Sequence, residues 1–189
     1  MRSRPWFTDD RLAEVAVKVM SSVPSPPAVA TVDPWIPLSI VWEIDPCVSP
    51  LYLFVRDPEQ GYVELKVHPQ SGALLGVVLI DLPRTADAEP ATADAAASRT
   101  SESPVLDLTL WSWKETPDYR EPTRRDIDME AALSLSSTED MMSIWFEAQP
   151  VARFLQAGNA RVGVSRDDEL VVITVSALPR SSSGALGGS

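Results

Sequence analysis

The apolar positions of this chain change period near residue 38. Before it, Leu12, Val15, Ala16, Val19 and Met20 recur at the spacing of one helical face. Thr8 stands ahead of them as a cap, and Phe7 with Leu12 has the spacing of a hydrophobic staple, so an amphipathic helix ending near Ser21 or Ser22 is predicted. Pro24, Pro26, Pro27, Pro34 and Pro37 then remove backbone donors and fix φ, and residues 23–37 read as an extended connector that covers the surface, carrying Trp35. From Leu38 the period becomes two. Val63-Glu64-Leu65-Lys66-Val67 alternates strictly between two turn signals, Asp57-Pro58-Glu59-Gln60-Gly61 and His68-Pro69-Gln70-Ser71-Gly72, as a half-buried antiparallel strand does.

The same reasoning predicts strands over 38–44, 51–56, 62–67 and 73–82, and again over 105–113, 141–148, 160–165 and 170–178. Both sets close on Leu-Pro-Arg, at 82–84 and 178–180, and Trp42 and Trp111 stand at similar places in the opening strands. The second set carries an insertion over 119–138, whose Arg124–Glu130 reads as a short helix or strand, and Pro150 and Gly158 bracket a predicted two-turn helix, Val151–Ala157. The expected fold is therefore mainly β: about eight antiparallel strands in two similar four-strand halves, a sandwich or barrel, with an N-terminal amphipathic helix. Residues 1–37 form the helix and connector, 38–84 the first half, and 105–179 the second. Residues 85–104 read as a linker within the domain and 180–189 as a tail, since neither offers much to bury.

Composition narrows the function classes. The 189 residues include 16 basic and 27 acidic side chains, a net charge of −11, which disfavours a nucleic-acid backbone and favours a basic partner. One Cys and one His allow neither an intramolecular disulfide nor a Cys/His zinc site. The longest apolar run, residues 73–80, is too short to span a bilayer, and Asp9 and Asp10 interrupt any signal peptide, so a cytoplasmic location with no membrane contact is expected.

No nucleophile elbow, phosphate-binding glycine loop or zinc-protease motif is present. His68 with Ser71 reads as turn chemistry, Cys47 as a small buried or half-buried side chain, and Asp126-x-Asp128-x-Glu130 as acids offset by Arg124 and Arg125. No metal, cofactor or catalytic residue is expected. The least ordinary feature is the predicted strand 106–113, whose alternation places Asp107, Thr109, Trp111 and Trp113 on one face, a recognition strip in want of a partner. Arg153 and Phe154, in the predicted inserted helix, are further contact residues.

These features point to a non-enzymatic, cytoplasmic, protein-binding β-domain, of the kind that serves as an immunity or antitoxin-like inhibitor. The alternative is a small β-barrel that binds an apolar small molecule and acts as a cofactor-free cyclase or isomerase by orienting it, with Glu43, Asp107 or Tyr52 polarising a carbonyl. A homodimer built on the aromatic strip is a third arrangement.

Overall fold

The computed structural model describes residues 16–45, 47–86, 100–117, 124–146 and 149–176, and there the chain is β throughout, with one 3-10 turn at Leu108–Leu110. Fifteen strands are formed: β1 (Val19–Pro24), β2 (Val29–Thr31), β3 (Leu38–Val41), β4 (Leu51–Arg56), β5 (Tyr62–Val67), β6 (Leu74–Asp81), β7 (Arg84–Thr85), β8 (Glu102–Leu106), β9 (Lys114–Thr116), β10 (Arg124–Glu130), β11 (Ser134–Ser137), β12 (Met141–Trp145), β13 (Arg153–Ala157), β14 (Ala160–Val164) and β15 (Leu170–Ser176). They make a seven-stranded sheet β2-β3-β6-β5-β4-β10-β9, a six-stranded sheet β13-β14-β15-β12-β11-β7 and a ribbon β1-β8. All pairings are antiparallel except β4 with β10 and β7 with β11.

The alternation in β5 is realised as read: Val63, Leu65 and Val67 are fully buried and face Val55, Leu53 and Leu51 across the ladder. In β15 every residue from Leu170 to Val175 is buried, which explains its near-continuous apolar run. Thr174, the polar member, is satisfied by the Ser143 hydroxyl at 2.9 Å. Side chains from both large sheets, from β1 and β8, and from Trp42 and Trp111 join in one apolar core.

Two five-stranded arrays share one strand order. β2-β3-β6-β5-β4 is matched by β11-β12-β15-β14-β13. The register matches too: Ile40 faces Val77 as Ile144 faces Ile173, and both hairpin ladders shift register at the same place, between Lys66 and Val67 and between Gly163 and Val164. After β3, the Trp42 amide donates to the Leu75 carbonyl, and after β12 the Phe146 amide donates to that of Val171. Both turns before the last strand end at positive φ, Gly72 at +73° and Asp168 at +60°.

The leading strands β1 and β8 are exchanged between these arrays. Val19 and Leu106 face one another where the strands pair. The Leu106 amide donates to the Gly72 carbonyl of the first array, and the Val19 amide donates to the Asp168 carbonyl of the second. Lys18 reinforces the second junction by donating from Nζ to the Glu169 carboxylate. That hydrogen bond, against an opposing effect of burial, holds the Glu169 carboxyl below its ordinary value of 4.5, with Gln149 as a further donor.

Several expectations are corrected. Residues 16–22 are extended rather than helical, because Val17 and Val19 are both buried with Lys18 between them turned to Glu169, a period-two pattern that the helical spacing masked. The cap at Thr8 and the staple lie outside the described residues. The strand begun at Val105 instead starts at Glu102 and stops at Leu106, since the Asp107 carboxylate accepts from the Thr109 amide and hydroxyl and turns the chain into the 3-10 turn. Residues 153–157 form strand β13 rather than a helix. Gly158, at φ +63°, serves a two-residue hairpin turn with Asn159 instead of a helix end. Arg124–Glu130 takes the strand form of the two expected for it, and β2, β7, β9, β11 and β13 bring the count far above eight. The second array opens with β11 rather than with 105–113, so the counterpart of Trp42 is Phe146, not Trp111. No closed barrel is formed among the described residues. Most of the linker, residues 87–99, and the whole tail lie outside the described residues.

Two stability outcomes follow. A Cβ at Gly72 would press on the Leu106 carbonyl oxygen and meet Val105 at 3.3 Å. Gly72→Ala is therefore expected to lower the unfolding free energy by about 1–3 kcal/mol, while Asp168→Gly, which relieves a left-handed non-glycine residue but loses an exposed ion pair, stays within about 1 kcal/mol of the parent in urea titrations. Glu169 contributes stability that is present above its ordinary pKa and is lost as pH falls through its lowered folded value. Between about pH 6 and about pH 3, Lys18→Met is expected to flatten that acid loss of stability, read from denaturation midpoints.

Candidate functional site

The structure separates the residues that the sequence grouped. Trp111 is 8% exposed and its ring meets Trp113 edge-on, with centroids 5.7 Å apart. Trp113 is half-buried, packs on the core and donates from Nε1 to the Leu108 carbonyl at 3.2 Å. The expected strip therefore does not exist: once the strand ends at Leu106, the alternation that put both indoles on an open face no longer applies. Asp107 and Thr109 bond to each other, and the hydrogen bonds from Thr109 hold the Asp107 carboxyl below the ordinary range. The Nε1 atoms of Trp42 and Trp111 are buried and have no hydrogen-bond partner among the described residues, a cost of about 1–3 kcal/mol each.

Arg153 is exposed and pairs with Asp168, whereas Phe154, on the opposite face of β13, is half-buried under the Arg161 guanidinium at 5.6 Å. Tyr52 occupies the equivalent place on β4, on the outer face of the larger sheet. There it stacks near Phe54, with Arg124 lying over both rings at 5.3 and 5.1 Å. Arg124 also grips the Asp126 carboxylate at 3.0 and 2.8 Å, and Asp126 accepts from Thr116. Asp126 is thus engaged by Arg124, and Asp128 by Arg56 at 3.3 Å, on a strand and not in a loop. Glu43 is exposed, and Glu43, Asp107 and Tyr52 line no common lumen.

His68 plays the turn role expected of it: Nδ1 accepts from the Gln70 and Ser71 amides, and Nε2 lies 3.9 Å from Asp45. Cys47 is exposed, not buried. A cleft of about 540 Å³ lies between Gln149–Ala152 and the Ser165–Asp167 turn, and one of about 360 Å³ lies between Asp57–Glu59, Arg84 and Glu130–Ala132. Both are open and lined in part by charged groups. At the second, burial raises the Asp57 carboxyl but amide donors from Leu133, Glu59 and Gln60 together with Arg84 outweigh it, so its pKa falls below the ordinary value.

The residue that sequence reasoning misplaced is Trp35. It does not cover the sheet; it is 90% exposed at the tip of the β2–β3 hairpin. The tip is held by Asp33, whose Oδ1 accepts from the Trp35 and Ile36 amides at 2.7 and 2.8 Å and whose own amide donates to the Ile36 carbonyl at 3.1 Å. Pro34 and Pro37 restrict φ on either side. The equivalent turn between β11 and β12 is residues 138–140, closed by the Thr138 amide on the Met141 carbonyl, so the six-residue loop 32–37 is three residues longer. Ile36 at the tip and Val29 and Val41 at the base are also exposed. The signal was legible as Asp33-Pro34-Trp35: an Asx turn with an indole in it turns that indole outward.

No protein-family model matches the chain, and no curated protein is similar to it.

Acrylamide quenching of tryptophan fluorescence checks this placement. Trp35→Phe is expected to remove the most quenchable part of the emission, and Trp111→Phe with Trp113→Phe to remove a protected part. The reverse ranking would contradict the hairpin geometry.

Proposed function

We propose that this chain is a non-enzymatic protein-binding β-domain, a stoichiometric inhibitor of the immunity or antitoxin type, that anchors its partner with the β2–β3 hairpin. The observation that carries the reading is the indole of Trp35, held in water on a hydrogen-bonded turn. An exposed Trp forgoes burial worth about 1.5–3 kcal/mol for a large side chain, and a rigid aromatic group on a pre-formed turn loses little entropy when a partner buries it. Such residues dominate binding energies. The net charge of −11 supports a basic partner, through faster encounter more than through tighter holding.

We read the two arrays as copies of one duplicated unit, and function as residing where the copies differ. The long β2–β3 loop is one such place and the β9–β10 insertion, which covers β4, is the other. The aromatic lumen required by an orienting cyclase or isomerase has no supporting observation, because the sheets close no barrel among the described residues and the two clefts are open and partly charged. Among the described residues no helix is long and apolar enough to cross a membrane.

Co-purification from native lysate of the source cells tests the reading. A stoichiometric partner is expected on the parent chain, and Trp35→Ala is expected to weaken it by about 30-fold or more with an unchanged unfolding midpoint. Equal retention by the variant, or no stoichiometric partner, removes the proposal.

A further inference from the structure

The two arrays treat one edge differently. In the second, the outer edge of β11 is filled by β7 running parallel: Arg84 lies opposite Ser134, Thr85 opposite Leu135, and the Ala86 amide donates to the Leu135 carbonyl at 2.8 Å. Val29 faces Val41 as Ser134 faces Trp145, which makes β2 the counterpart of β11 and Ala30 that of Leu135. Backbone groups alternate in direction along an antiparallel ladder, so Ala30 turns its N–H and C=O away from β3 as Leu135 turns its own away from β12. Among the described residues no strand pairs with that edge of β2.

Few of the devices that close an edge to other chains stand here. Val29–Thr31 holds no Lys, Arg or Pro, and no bulge interrupts its pairing with β3. The strand is short, yet β7 holds the matching edge with two residues. The surroundings carry one sign of charge: residues 19–55 contain no Lys or Arg, and their acids are Asp33, Glu43 and Asp45. Asp33 lies two residues beyond Thr31, and Glu43 two residues beyond Val41, the partner of Val29, so exposed acids bracket the edge. A second copy of β2 would bring these carboxylates against their like, which disfavours pairing of the chain with itself.

We propose that the β2 edge takes a basic, extended segment of a partner protein as a parallel strand, with one partner residue opposite Ala30. The Ala30 amide donates to the carbonyl of the residue before it, and the Ala30 carbonyl accepts from the amide of the residue after it, as Leu135 accepts from Ala86. The partner side chain opposite Ala30 is small and apolar and faces the core, and its two neighbours point outward beside Val29 and Thr31. Lys at those two positions lays its stem on the exposed Val29 and Val41 and carries its ammonium toward Glu43 at one end and toward Asp33 and the Trp35 indole at the other. The inference rests on the reading of the β2–β3 hairpin as an anchor and deepens it, assigning the partner's backbone and charge where Trp35 assigns an apolar contact.

The test adds the capped peptide Lys-Val-Lys-Val-Lys-Val-Lys to the full chain, with Glu-Val-Glu-Val-Glu-Val-Glu as the control, and follows the backbone amides by NMR. The Lys peptide is expected to shift the amides of residues 29–31 and to slow exchange at Ala30 by about tenfold or more at saturation, and the Glu peptide to do neither. Ala30→Pro, which removes the outward amide, is expected to weaken the Lys peptide by about tenfold or more with an unchanged unfolding midpoint. Glu43→Lys, at an exposed position, is expected to weaken it severalfold and decides the matter if the proline variant does not fold. No protection by the Lys peptide, or an unchanged affinity in the folded proline variant or in Glu43→Lys, overturns the proposal. So does an Ala30 amide already protected in the dilute free chain, which assigns the edge to the chain itself, or protection that rises with protein concentration alone, which assigns it to a second copy. Partner capture that depends on Trp35, without protection of Ala30 by the peptide, leaves the anchor reading standing and removes this one.

Discussion

The crossing of β1 and β8 is the contact on which the arrangement depends. Val19 and Leu106 are buried against each other, and their amides donate in opposite directions, that of Leu106 to the turn of the first array and that of Val19 to the turn of the second. A sheet with one apolar face is incomplete until something covers that face. Here each array takes its cover partly from strands that the other supplies, and a single core results. The requirement for a left-handed residue at position 72, and the Lys18–Glu169 pair at the second junction, are local consequences of bringing a strand so close to a turn.

Shared order makes the differences between the arrays easier to read. The β9–β10 insertion lays a parallel strand on β4, with Ile127 and Met129 toward the core and Arg124, Asp126 and Asp128 outward beside Tyr52 and Phe54. The counterpart of Tyr52 is Phe154, which lies against Gly163, where a Cβ would come within 3.1 Å of its ring. Scaffold positions thus hold aromatic groups in both arrays. The hairpin that bears Trp35 has no such counterpart, and its indole meets water instead of protein.

The sequence was most legible where a strand has one face in the core and one in water. β4, β5 and β6 follow their alternation and turn residues closely, because Val63, Leu65 and Val67 leave only one way to pair. It was least legible at the exchanged strands. Val19 fits a helical face with Val15 and Ala16 as well as a β alternation with Val17, and what decides between them is Leu106, some 87 positions away by their numbering. Pro150 and Gly158 misled for a similar reason: glycine at positive φ closes a helix or opens a hairpin, and Val164 and Val162 opposite β13 select the hairpin.

What the amino-acid sequence determined by itself was class and local form: a mainly β chain, its central meander, the turn role of His68 and a surface of acidic charge. These depend on period, backbone donors and net charge, all properties of neighbouring residues. Which aromatic groups face water was decided by the tertiary structure alone. Trp111 and Trp113 were withdrawn into the fold by a turn that two hydrogen bonds to Asp107 create, and Trp35 was turned outward by another that Asp33 holds. Exposure is a relation between a side chain and every element that could cover it, and those elements are set by pairings between residues far apart in the chain.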